Sequence, residues 1–154
     1  MGGAQMSDVS MKSCAMLFQC INGSINFGIT RTQISSRCCS TDLCNSQNIP
    51  VLNNSNPNGR RCFTCNSQDC AATLDCLGEE DRCITTKVEV GNKKMDMKGC
   101  ASKSVCIGGA AAQMGGSMTG DLNCCEGNLC NYSKSIEVSL FLLVTLAVSI
   151  VLLQ

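Results

Sequence analysis

Hydrophobic and polar positions follow two different rhythms along this chain. Across residues 85–90 (TTKVEV) β-branched and charged residues alternate, the period-two signature of a half-buried strand. Residues 94–99 are predicted to pair with it across a Gly91-Asn92 turn. Residues 107–120, rich in Gly and Ala, read as a long, pliant loop, and no stretch shows the 3.6-residue period of an amphipathic helix. The second rhythm is continuous: residues 138–153 (VSLFLLVTLAVSIVLL) are sixteen mostly apolar positions without a charge. Residues 1–13 (MGGAQMSDVSMKS) lack the apolar region of a secretion signal.

The cysteines carry an internal repeat. Cys14, Cys20, Cys38, Cys39 and Cys44 recur, shifted by 86, as Cys100, Cys106, Cys124, Cys125 and Cys130. The flanks agree too: Met11, Lys12, Ala15, Ile21, Gly23, Leu43 and Asn45 match Met97, Lys98, Ala101, Ile107, Gly109, Leu129 and Asn131. A small module has been duplicated in tandem. Its second copy has five more cysteines upstream, Cys62, Cys65, Cys70, Cys76 and Cys83, whose counterparts would fall before Met1. The expectation is that the first copy is truncated, with its front half and a signal peptide encoded upstream. By the same offset residues 1–13 align with 87–99 and read as part of a strand. Residues 46–61 (SQNIPVLNNSNPNGRR) hold both prolines of the chain and five asparagines, which is linker composition.

Composition narrows the function. Fifteen cysteines in 154 residues is the density of secreted disulfide scaffolds, and disulfides persist in oxidising compartments. The bulky residues of the second copy, Phe63, Leu74, Ile84, Val88, Val90 and Leu122, are too few to offset chain entropy without covalent staples. There is no histidine, so no Ser–His–Asp or Cys–His catalytic set can form. The net charge of zero, with no basic block, argues against nucleic acid. Glu79, Glu80 and Asp81 read as a solvated turn, and Lys87, Lys93, Lys94, Glu89 and Asp96 as a solvated face. Cys62-x-x-Cys65 could begin a zinc site, but the second C-x-x-C of a four-cysteine site is absent. No cofactor is implied, and spacing alone leaves the disulfide pairing open.

The run C-F-T-C at Cys62–Cys65, then Cys70, Cys76, Cys83, Cys100 and Cys106, then C-C-E-G-N-L-C-N ending at Asn131, resembles the lymphocyte-antigen and urokinase-receptor (LU) domain family, and most of all its tandem-domain branch. The resemblance covers residues 62–131 completely and residues 1–45 as a half domain. It implies a small disulfide-rich all-β fold, in which three fingers project from a knot. It also implies the pairs Cys62–Cys83, Cys65–Cys70, Cys76–Cys100, Cys106–Cys124 and Cys125–Cys130, and in the first copy Cys20–Cys38 and Cys39–Cys44. Cys14 is left unpaired, and Asn131 is expected to close the knot. The implied binding elements are the finger loops, residues 67–73, 87–97 and 107–120.

Three glycosylation sequons occur, at Asn22, Asn53 and Asn131, with Asn53 and Asn22 the better acceptors. Small Ser133 and Ser135 in a polar stretch, followed by the apolar run, form the pattern of a glycosylphosphatidylinositol (GPI) signal, with Ser133 or Asn131 as attachment site. The alternative is a tail-anchored helix, for which sixteen residues are short of the usual ~20. Residues 132–154 are therefore read as an anchor signal. The expected protein is a GPI-anchored, extracellular, non-enzymatic binding protein or receptor that takes a protein ligand. The alternative is a secreted tandem-LU inhibitor resembling the phospholipase inhibitors.

Overall fold

The computed structural model describes residues 8–50, 54–90, 93–107 and 122–132. Among the described residues seven strands run in chain order: β1 (Gly23–Asn26), β2 (Arg31–Ile34), β3 (Pro57–Thr64), β4 (Ala72–Leu77), β5 (Arg82–Val90), β6 (Lys93–Ala101) and β7 (Asn123–Cys125). One short helix, α1 (Lys103–Ile107), and two 3-10 turns, Leu17–Gln19 and Cys44–Ser46, complete them. The architecture is small, disulfide-rich and all-β.

Alternation explains β5. Ile84, Thr86 and Val88 are buried while Lys87 and Glu89 are exposed. The strand pairs antiparallel with β6 from Arg82↔Ala101 to Val90↔Lys93, so Thr85 faces Lys98. The Gly91-Asn92 turn expected between them lies outside the described residues. On its other edge β5 takes β7, with Cys83 opposite Cys125. The strands β3 and β4 form a separate hairpin.

The sheet does not end at β6. The hairpin β1–β2, from the first copy, docks along the far edge of β6, with Ile25 opposite Ala101 and Asn26 opposite Cys100. The five-stranded order is β2-β1-β6-β5-β7, so one sheet runs through both copies. The apolar core follows the sheet. Its buried members are Ile25, Phe27, Ile84, Ala101 and Val105, two of them from the first copy, with Ile21, Met97 and Leu122 packed against them. Phe63 and Leu74 are half-buried, and Leu74 packs on the buried cysteines Cys62, Cys76, Cys83 and Cys100.

Two sequence expectations are corrected here. Residues 8–13 form no strand. In the second copy the matching residues, 94–99, are paired with β5. The stretch read as linker is partly structured, since Pro57–Arg61 belong to β3. Asn58 fastens this end by donating its Nδ2 hydrogens to the carbonyls of Gly78 and Glu80 (2.9 and 3.1 Å). Gly59, at φ +86°, absorbs the register shift between Pro57 and Arg61.

Candidate binding surface

The knot is built first, because it aims the fingers. The structure brings fourteen cysteines together in seven bridges. In the second copy they are Cys62–Cys83, Cys65–Cys70, Cys76–Cys100, Cys106–Cys124 and Cys125–Cys130. In the first they are Cys20–Cys38 and Cys39–Cys44. No bridge among them crosses from one copy to the other. Both sulfurs of the Cys62-x-x-Cys65 motif are engaged in bridges, so neither is a thiolate ligand. Cys62, Cys76 and Cys100 have their sulfurs within 4.8 Å of one another, but each is in a disulfide. Cys14 is free and exposed.

The repeat is legible in the backbone. Leu43 and Leu129, 86 positions apart, both adopt left-handed φ values of 56° and 58°. Each sits directly before the second cysteine of a bridge that spans five residues.

Asn131 joins the knot to the fingers. Its Oδ1 accepts the Phe63 N–H at 2.9 Å, and its Nδ2 donates to the carbonyls of Phe63 and Ile84, both at 2.9 Å. One side chain thus ties β3 to β5. Asn131 is 5% exposed and both of its amide hydrogens are used, so its sequon offers no acceptor nitrogen in the folded protein.

The first finger, β3–β4, ends in a compact turn. Asn66 Oδ1 accepts the N–H groups of Gln68 and Asp69 at 2.7 and 2.8 Å beside the Cys65–Cys70 bridge. The second finger, β5–β6, is longer and carries exposed charge. Lys94 pairs with Glu89 across the ladder at 3.1 Å, both side chains open to solvent, and Met95 is exposed beside them. The Lys98 ammonium lies 5.8 Å from the centre of the Phe63 ring. The third finger beyond Ile107 lies outside the described residues.

Glu80 overturns the reading of residues 79–81 as a solvated turn. It is fully buried, and its carboxylate takes three donors from the first copy and one from its own. Oε1 accepts from Arg31 Nε at 2.7 Å and Ser24 Oγ at 3.0 Å, and Oε2 accepts from Asn26 Nδ2 at 3.2 Å and the Leu77 N–H at 2.9 Å. Arg31 also donates to the carbonyl of Asn54 at 2.9 Å. Burying a charge is costly unless it is paired and hydrogen-bonded, and here both conditions are met. Asp81, beside it, accepts the Lys103 N–H at 2.8 Å and pairs with Arg82.

The remaining candidates divide by position. Asn22 is exposed, with its Oδ1 accepting the Ser36 N–H at 2.7 Å. The Ser24 hydroxyl of the same sequon is buried against Glu80. Asn53, Ser133, Ser135 and the apolar run lie outside the described residues. Among the described residues no helix is long and apolar enough to cross a membrane.

A disulfide knot, projecting β-fingers and an asparagine directly after the last cysteine define the class, and the u-PAR/Ly-6 domain model matches residues 1–47 and 58–133, so this chain belongs to that family. Among curated proteins it is similar to the urokinase plasminogen activator surface receptor of Bos taurus, 28% identical over 131 residues covering 79% of this chain and 39% of the receptor. The receptor of Rattus norvegicus is 29% identical over 130 residues, with 78% and 39% covered. A gamma-type phospholipase A2 inhibitor of Elaphe climacophora is 35% identical over 79 residues, with 46% and 40% covered. The chain spans about two fifths of the length of these relatives. The first two relatives are named as receptors and the third as an inhibitor.

Proposed function

We propose that this chain belongs to a GPI-anchored binding protein of the cell surface, which uses its finger loops to hold an extracellular protein ligand and catalyses nothing. In this reading residues 1–45 are the second half of one LU domain, 46–56 the connection, the complete domain runs from β3 at Pro57 to 131, and 132–154 are the anchor signal. Asn53 and Asn22 carry glycans, and the lipid joins at Ser133. The likeness to surface receptors supports the receptor role, and the absence of histidine supports the lack of catalysis. The apolar residues 138–153 carry the choice between the two classes of relative, since a secreted inhibitor has no use for them.

The second reading, a phospholipase inhibitor, rests on the snake inhibitor's likeness. One experiment separates the two. The protein, exported behind a supplied signal peptide, is added to secreted phospholipase A2, and hydrolysis of phosphatidylcholine vesicles is followed. Unchanged hydrolysis at micromolar protein supports the receptor reading. Stoichiometric inhibition overturns it in favour of the inhibitor.

A further inference from the structure

The hairpin β1–β2 and the edge of β6 fit each other through features that neither would need alone. At Gly99 a Cβ would stand 2.0 Å from the Asn26 carbonyl oxygen and 3.1 Å from Phe27 Cα. These are backbone atoms that cannot swing aside, so only glycine lets the hairpin come this close. Glu80 has one hydrogen-bond donor from its own copy, the Leu77 N–H, and three from the hairpin, Ser24, Asn26 and Arg31. Thr64 adds a bond from its hydroxyl to the Phe27 carbonyl at 2.7 Å.

We infer that Gly99 and Glu80 form a dedicated hairpin-acceptor surface on the second copy, and that its partner is a β-hairpin bearing Ser, Asn and Arg where the first copy has Ser24, Asn26 and Arg31. The repeat makes this surface selective. The second copy carries Ala110, Ala112 and Ser117 at the positions matching Ser24, Asn26 and Arg31, so its own segment offers one neutral hydroxyl in place of three donor side chains and no cation for a buried carboxylate. The first copy carries Ser13 where the second has Gly99, and a side chain there blocks the close approach. Each copy therefore keeps one half of the contact. A head-to-tail contact with both halves on every unit would propagate into open filaments, and this division limits it to a single use. No described disulfide spans the junction, so recognition is non-covalent.

The full chain tests this directly. A site-specific protease sequence is inserted between Asn48 and Ile49, the protein is exported and Cys14 is alkylated. It is then cut under non-reducing conditions and run by size exclusion. The wild-type halves are expected to stay together after cutting. Arg31→Ala should raise the dissociation constant at least tenfold. The triple change Ser24→Ala, Asn26→Ala and Arg31→Ser, which gives the hairpin the second copy's residues, should separate the halves, as should Gly99→Val. The hairpin substitutions leave the acceptor fragment unaltered, and its mass with all five bridges intact confirms that it is folded. Separation of the wild-type halves, or retention of the triple variant at wild-type strength, overturns the proposal.

Discussion

The guanidinium of Arg31 reaches across the junction to meet the carboxylate of Glu80 at 2.7 Å, where the arginine side chain is 20% exposed and the glutamate wholly buried. Removing one partner of such a pair leaves an uncompensated charge in the interior, which typically costs about 3–5 kcal/mol. Arg31→Ala should therefore destabilise the protein by about 3 kcal/mol, the low end, because Ser24, Asn26 and Leu77 still donate to Glu80. Urea unfolding with bridges intact measures this. A change below about 0.5 kcal/mol would show that the junction contributes little.

Asn131 holds two strands through three bonds in a buried position. Asn131→Ala leaves the Phe63 N–H without its acceptor and should cost about 2–4 kcal/mol, taking about 1–3 kcal/mol per unsatisfied buried group. The same geometry predicts no glycan on Asn131 in the mature protein, read by mass spectrometry after enzymatic deglycosylation in heavy-oxygen water. A glycan there at high occupancy would mean that Asn131 does not close the knot.

Much of the fold is legible in the amino-acid sequence, for identifiable reasons. Cysteine spacing is insensitive to loop sequence, so the duplication and the family stand out. The alternation in residues 85–90 marks β5 because one of its faces is buried and the other wet. The junction is not legible. Glu80 sits between two acidic neighbours, and a donor set 49 to 56 residues upstream meets it in the interior. Ile25 and Phe27 belong to a four-residue strand and its exit, too short to display a period. Gly99 within a strand is the one usable signal, since glycine there marks close backbone approach, but nothing local names the approaching chain. The helix α1 is five residues long and offers no periodicity to detect.

Thr86 is 1% exposed, and its hydroxyl finds no hydrogen-bond partner among the described residues. An unsatisfied buried hydroxyl is a cost that the isosteric valine removes. Thr86→Val is expected to leave stability unchanged or raise it by up to about 1 kcal/mol. A loss of more than about 1 kcal/mol by urea titration would reveal a bond to this hydroxyl.

Cys14 stands 86 positions before Cys100, but Cys100 is bridged to Cys76 and Cys14 is free. Iodoacetamide added to the native, exported chain should label Cys14 alone among the fifteen cysteines. Labelling at Cys76 or Cys100 instead would show that the bridges are wrongly assigned.

Attachment to the cell surface is the claim on which the receptor role depends. The chain is expressed in mammalian cells behind a supplied signal peptide with an epitope before Asp8, and intact cells are treated with phosphatidylinositol-specific phospholipase C. Release of the epitope into the medium, with residues 138–153 absent from the released protein, is the predicted result. Retention on the cells with those residues still present, or secretion without any enzyme, would contradict it.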